Sequence, residues 1–218
     1  MTAKALNIYG NIEIKELILF KKQHKNLPEL TKINSRNTLP TMAVKEIGED
    51  EGVDYSLWDS HAIVVYLAQK YGSINNPLFP SGSIEIQGQI NEWLHFDNGT
   101  LYPAFKKQYN PWLFDNEPKT VDNKDLTDAL EFLEKSLKPE FKFVIGNEPT
   151  LADIALVASI STFEVAGVEL TKYNKIIKWL THCKELYIYK TINIKGLAKI
   201  EGLVKLRKAD EKVETEST

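Results

Sequence analysis

Hydrophobic positions alternate between strand and helix periods before about residue 80 and keep to the helix period after it, which splits the chain into two kinds of structure. Before it, Ile12, Ile14 and Leu17 to Leu19 sit among charged residues, a pattern that predicts a strand over Ile12–Leu19. Met1–Asn7 reads as the last two turns of a helix with no N-cap of its own ahead of it. Pro28–Ile33 is a short helical or turn segment. Thr41–Ile47 and Val53–Trp58 predict two strands, and the polar Gly48-Glu49-Asp50-Glu51-Gly52 between them makes the pair a hairpin. Ala62–Tyr71 is apolar nearly all round, which predicts a buried helix.

Asn75–Ser83 carries Pro77, Pro80 and Gly82 and reads as a linker, and everything after it predicts helix. Ile86, Ile90, Leu94, Leu101 and Phe105 lie near one face of a helix over Ile84–Gln108. Asn110–Asn123 is expected to be a loop broken by Pro111 and Pro118. Leu126, Ala129, Leu130, Leu133 and Leu137 recur at helical spacing. Further helices are expected over Thr150–Glu164, Tyr173–Tyr187 and, more weakly, Lys195–Lys208, with the last ten residues frayed. The expected class is α+β: a small mixed unit (1–74), a linker (75–83) and an all-helical unit (84–218). No internal repeat is visible.

Composition narrows the function classes. The 218 residues carry a net charge of −3 and are 43% hydrophobic, an ordinary balance for a globular protein. The pI near 5.9 argues against a nucleic-acid footprint, which shows as a clustered basic face. A single cysteine, Cys183, excludes an internal disulfide, and with four scattered histidines it offers no zinc-ligand spacing. No apolar run approaches the roughly 20 residues of a membrane span, so the default address is the cytoplasm. Asn98-Gly99-Thr100 matches a glycosylation acceptor but falls inside a predicted helix and reads as accidental.

The chemistry concentrates in Asn37–Tyr71, where two corners can converge on one small anionic ligand. At the first, Thr38-Leu39-Pro40-Thr41, a proline opens a strand; a cis bond there would turn the Leu39 backbone outward, ready to pair with an extended peptide. At the second, Asp59-Ser60-His61 opens a helix. Ser60 is well placed as N-cap, the N–H groups of Ala62 and Ile63 suit a carboxylate, and Asp59 suits an ammonium group. A plain capping sequence is the competing reading. Thr150-Leu151-Ala152-Asp153 is a capping box with Asp in place of Glu, and Thr150 and Asp153 read as structural. His24, His61, His95 and His182 have no nucleophile partner at recognisable spacing. Cys183 shares an apolar face with Ile176, Leu180 and Tyr187 and reads as a packed thiol. The aromatic run Trp93, Tyr102, Phe105, Tyr109, Trp112 and Phe114 is core by default, or the wall of a hydrophobic pocket.

Taken in order, these segments resemble a cytosolic glutathione transferase of the insect delta and epsilon classes. The resemblance rests on Lys32-Ile33-Asn34, Thr38-Leu39-Pro40-Thr41, Leu57-Trp58-Asp59-Ser60-His61-Ala62-Ile63, Lys70-Tyr71-Gly72 and Leu78-Phe79-Pro80. It continues through Phe96-Asp97-Asn98-Gly99-Thr100-Leu101-Tyr102-Pro103, Thr150-Leu151-Ala152-Asp153-Ile154-Ala155 and Ser161-Thr162-Phe163-Glu164. It implies a thioredoxin-like first domain that binds glutathione and an all-helical second domain that supplies a hydrophobic pocket. By resemblance Leu39 pairs with the cysteinyl backbone, Pro40 is cis, and Asp59 and Ser60 hold the γ-glutamyl end. His61 stands where these classes usually carry Arg, Asn37 where they usually carry His, and Lys25 at another frequent His position, with His24 beside it. Tyr102 and Phe105 are implied to line the pocket, and the hairpin between Ala43 and Leu57 to be longer than usual.

The resemblance also implies a β-strand and a catalytic Ser ahead of the first helix. Met1–Asn7 matches only the later part of that helix, so strand and hydroxyl have no counterpart in this sequence. The expectations that follow are a transferase joining glutathione to small hydrophobic electrophiles, or a non-catalytic relative that binds hydrophobic ligands or serves as a dimer partner; a start recorded about 15 residues short is a third reading. Glutathione would be a co-substrate with no further cofactor or metal. The protein is expected to be a cytoplasmic homodimer of detoxification chemistry, with no nucleic-acid or membrane partner.

Overall fold

The computed structural model describes residues 1–17, 23–44, 55–115, 117–118 and 124–216. They form two compact units, Thr2–Ser73 and Met1 with Ile74–Thr218.

The first unit opens with helix α1 (Thr2–Ala5) and single 3-10 turns at Tyr9–Asn11 and Gln23–Asn26. Helix α2 (Pro28–Ile33) starts on a proline, whose missing N–H costs nothing at that position. Strands β1 (Thr41–Val44) and β2 (Tyr55–Trp58) pair antiparallel, with Thr41 opposite Trp58 and Val44 opposite Tyr55. The rest of both predicted strands, residues 45–47 and 53–54, and the Gly48–Gly52 turn between them lie outside the described residues. Helix α3 (Ser60–Tyr71) follows β2 at once. Alternation puts Tyr55 and Leu57 on one face of the ladder and Ser56 and Trp58 on the other. The Tyr66 ring of α3 meets Tyr55 edge-on at 5.7 Å, while the Ser56 hydroxyl donates to the Ile33 carbonyl of α2. The two helices therefore flank the ladder.

Two expectations fail here. Ile12–Leu17 forms no strand, and its remaining residues Ile18 and Leu19 lie outside the described residues. Alternation marks a segment that fits a sheet, but a strand needs a neighbour to pair with, and no described segment supplies one. Helix α3 is also less enclosed than its apolarity suggests: Ile63, Leu67 and Ala68 are buried, and Ala62, Gln69, Lys70 and Tyr71 are exposed.

The second unit is helical. Leu78 and Phe79, in the segment read as a linker, are buried, and the Leu151 N–H donates to the Leu78 carbonyl at 2.9 Å. Helix α4 (Ile84–Phe96) passes through a π turn (Asp97–Leu101) into α5 (Tyr102–Phe114). The wide turn falls directly before Pro103, whose ring has no N–H to return to the preceding turn. Contrary to expectation, α5 runs through Pro111 to Phe114, because Tyr109, Trp112 and Leu113 are buried there and hold the last turn. Helix α6 (Lys124–Ser136) buries the expected face, Leu126, Ala129, Leu130 and Leu133, with Leu137 just beyond it.

Helix α7 (Leu151–Ala166) is the centre of this unit, with Leu156, Ile160 and Phe163 fully buried. It stops at Gly167, whose φ of +87° is costly for any residue with a Cβ, and whose N–H closes onto Glu164 and Phe163. Helix α8 (Asn174–Glu185) carries buried Cys183; burial, and then the charge of Asp153, push its thiol well above the ordinary range. Tyr187, expected on the same face, is exposed. A second π turn (Tyr189–Asn193) leads into α9 (Ile194–Glu216), which extends eight residues past the expected end at Lys208. Trp112 donates its indole N–H to Glu211 at 2.8 Å and Arg207 donates to the Leu113 carbonyl, so α9 is tied along the end of α5.

The start of α7 is held by a dense set of hydrogen bonds. Thr150 caps the helix by accepting the Ala152 N–H, and the fully buried Asp153 carboxylate returns to the Thr150 N–H at 2.9 Å and its hydroxyl at 3.1 Å. The other Asp153 oxygen accepts the Val144 N–H and the Trp179 indole N–H, both at 2.9 Å. Burial raises this carboxyl above the usual carboxylate range, and the four donors oppose the shift.

Candidate functional site

The register of the hairpin is what builds the candidate site. Strand β1 begins immediately after Pro40 and β2 ends immediately before Asp59; pairing of Thr41 with Trp58 therefore sets the two corners side by side. The Leu39–Pro40 peptide is cis, and Leu39 and Pro40 are both exposed.

The first corner is held by a residue that the reading of individual positions passed over. Asn34, nearly fully buried at the end of α2, points its amide N–H groups at the Thr38 carbonyl (3.1 Å), the Thr38 hydroxyl (3.1 Å) and the Thr41 hydroxyl (2.8 Å). Its oxygen accepts the Arg36 N–H at 3.1 Å. One amide thereby fixes the whole 34–41 loop. The signal in the sequence was an Asn at a helix end, a residue that bonds its own backbone two positions on. Asn37 adopts φ +51° and its side-chain oxygen accepts the Thr31 hydroxyl at 2.8 Å, so it acts as a turn residue.

The second corner differs from expectation. The N-cap of α3 is Asp59, not Ser60. Asp59 sits at φ +79°, and its Oδ1 accepts the His61 N–H at 2.9 Å and the Ala62 N–H at 3.3 Å, while its carbonyl takes the Ile63 N–H. The N–H groups of Ala62 and Ile63 are thus already engaged. Ser60 is the first helical residue; its hydroxyl is exposed and has no hydrogen-bond partner among the described residues. His61 is half-buried with Nδ1 at 3.8 Å from Asp59 Oδ1. Lys25, in the 3-10 turn Gln23–Asn26, is exposed and makes no hydrogen bond or ion pair among the described residues.

Beside the corner, the Arg36 guanidinium lies over the Trp58 ring, 4.7 Å from its centroid. Farther along, Lys70 approaches the faces of Tyr66 and Tyr71 at 5.5 and 5.8 Å. Partial burial, and then the nearby Tyr66 hydroxyl, push the Tyr55 hydroxyl up to about 12.

In the helical unit the two pocket candidates separate. Tyr102 is exposed at the start of α5, and its hydroxyl is raised by desolvation and then by the Asp97 charge. Phe105 is in the core, stacked on Tyr109 at 4.5 Å and on Phe163 at 4.3 Å. One turn after Tyr102 on the helix, its ring is 6.1 Å from the Tyr102 ring, which it can support only from beneath. A separate open cleft of about 640 Å³ runs between α5 and α6, with Phe96, Thr100, Pro103, Lys107, Ala129 and Phe132 among its walls. No helix among the described residues is long and apolar enough to cross a membrane.

Comparison with known proteins gives a consistent result. Residues 100–186 match the family of the glutathione S-transferase C-terminal domain. A delta-class glutathione transferase of Nilaparvata lugens is 35% identical, with a TM-score of 0.80 over 94% of this chain and 91% of that one. An epsilon-class glutathione S-transferase from the housefly, Musca domestica, is 30% identical (TM-score 0.79, 94% and 90% covered). A glutathione transferase homologue from Drosophila mojavensis, solved with bound glutathione, is 27% identical (TM-score 0.80, 94% and 89% covered).

Proposed function

The chain belongs to the glutathione transferase family, with the family's α+β fold of a thioredoxin-like unit followed by an all-helical one, and from that premise we propose that it binds glutathione at the Leu39–Ser60 corner and joins its sulfur to small hydrophobic electrophiles. The observation that carries this reading is the Thr41–Trp58 register, which sets an exposed cis-proline corner beside the start of α3 and its exposed Ser60. Glutathione is an extended tripeptide. Its cysteinyl backbone pairs with Leu39 as an added strand, with Pro40 keeping that edge turned outward. Its γ-glutamyl end meets Ser60, whose hydroxyl is exposed, and Asp59, with His61 behind it. Asn37 and Lys25 border the other end.

The chemistry forms a carbon–sulfur bond as the leaving group departs with the bonding pair and the thiol proton passes to solvent. A thiol of ordinary pKa, about 8.5, is only a few per cent thiolate at neutral pH, so positioning against the electrophile contributes most of what this corner supplies. Tyr102 contributes the hydrophobic surface for the second substrate, with Phe105 fixing its position from the core. Asp153 and Thr150 hold the helical unit together. The same reading makes the protein a cytoplasmic homodimer in detoxification; Phe132, half exposed against Trp93 and Phe96, is apolar surface of the kind that pairing buries.

Calorimetric titration with glutathione, followed by a conjugation assay on a chlorinated nitrobenzene, tests the proposal. Saturable binding with turnover supports it. Binding without turnover makes the protein a non-catalytic ligand-binding member of the family. Absence of both in a folded sample overturns the reading.

A further inference from the structure

The proposed corner must neutralise the carboxylates of a peptide, yet neither Asp59 nor Asn37 brings a positive charge to it. Asp59 spends Oδ1 on the start of α3. Asn37 presents its oxygen to Thr31. Lys25 is a long exposed chain with nothing fixing it among the described residues. Arg36 differs from all three. Its backbone is pinned by Asn34 and its guanidinium is laid on the Trp58 ring, while it has no carboxylate partner among the described residues. Trp58 is the residue that pairs with Thr41, so the ring carrying Arg36 stands at the junction of the two corners.

A guanidinium held flat on an aromatic face is immobilised through its π surface, and its rim of N–H donors stays free in the plane. That geometry suits bidentate recognition of a carboxylate, with less side-chain freedom lost on binding than an unrestrained lysine would lose. Resting on the glutathione reading above, we propose that Arg36, held on Trp58, is a specificity-determining residue of this chain that anchors the glycine carboxylate of the bound peptide. The γ-glutamyl end is already assigned to Ser60, which leaves the glycine end for the cation.

The test is calorimetry on the full chain, comparing glutathione with its glycine ethyl ester, which removes only that charge. Wild type is expected to bind glutathione about 10- to 100-fold tighter than the ester, the range of a charged hydrogen-bonded contact. R36A should bring glutathione down to the affinity of the ester and leave the ester unchanged. R36K, which keeps the charge and loses the planar fork, should fall between. R36Q repeats the measurement if R36A fails a circular dichroism check of folding. R36A that binds glutathione like wild type, or that weakens both ligands equally, overturns the assignment. Wild type that binds neither ligand overturns the glutathione reading itself, a distinct outcome.

Discussion

Asp153→Ala should be among the most damaging single substitutions in this protein, and the reason is countable. The carboxylate is fully buried and accepts four hydrogen bonds: from the Val144, Thr150 and Trp179 N–H groups at 2.9 Å and from the Thr150 hydroxyl at 3.1 Å. Alanine removes every acceptor. The Thr150 hydroxyl can rotate, but three N–H groups stay aimed at an apolar methyl. Each buried donor left unmade costs about 1–3 kcal/mol, and partial relaxation brings the sum to about 4–6 kcal/mol. For a chain of 218 residues that lowers Tm by roughly 10–20 °C. Asp153→Asn keeps one oxygen and turns an amide N–H₂ against the other donors, so about half the loss is expected. Thermal unfolding at pH 7, followed in parallel by far-ultraviolet circular dichroism and by tryptophan fluorescence, reads both variants, since Trp179 belongs to the network. A shift of less than about 3 °C for Asp153→Ala would show that the freed donors find water or other partners, and would refute the reasoning.

Further outcomes separate structural from functional roles. Asp59→Ala removes the cap of α3 and should cost about 0.5–2 kcal/mol as well as weakening glutathione binding, whereas Ser60→Ala should weaken binding with little change in Tm; equal effects on Tm would contradict the cap assignment. Phe105→Ala should cost about 3–5 kcal/mol through the aromatic stack, while Tyr102→Ala should leave Tm nearly unchanged and alter KM for the electrophile. In an ultraviolet titration of the tyrosines, one hydroxyl should ionise with a midpoint of about 12, and Tyr66→Phe should lower it only in part, because burial is the larger cause. Because that folded-state pKa lies above the unfolded value near 10, the contribution of Tyr55 to stability is intact below pH 10 and fades as pH rises through 12. Cys183 should resist thiol reagents at pH 8 in the native protein and react only as it unfolds; rapid native labelling would contradict its burial.

Local pattern carried much of this structure because helices are local objects. The spacing of Leu126, Ala129, Leu130, Leu133 and Leu137 marked both the existence of α6 and the face it buries. The Thr150–Asp153 box marked the start of α7, since a cap needs only residues three positions apart. Where local rules competed, they misled. Ser60 is as good a capping residue as Asp59, and the choice fell to the positive φ of Asp59 at the end of β2, which sequence does not display. Pro111 signals a break, yet the buried aromatic residues around it hold the helix. The arrangement of the candidate site was legible only through the resemblance to known transferases. Asn34, which holds the first corner, and Arg36, laid over Trp58, drew no attention as individual residues, because their partners become neighbours only after the loop closes.

By itself the sequence determined most of the helical segments and their apolar faces, that two Asn- and Asp-bearing corners flank a hairpin, and that the whole resembles one family. Tertiary structure decided the rest. It set Thr41 opposite Trp58 and so brought the corners together, denied Ile12–Leu17 a strand, sent Phe105 into the core while leaving Tyr102 outside, and laid Arg36 on Trp58. The division has one physical cause. Periodicity and capping act over three or four residues and are written in the chain, whereas strand pairing, burial and side-chain stacking depend on contacts between segments that meet only when the chain folds.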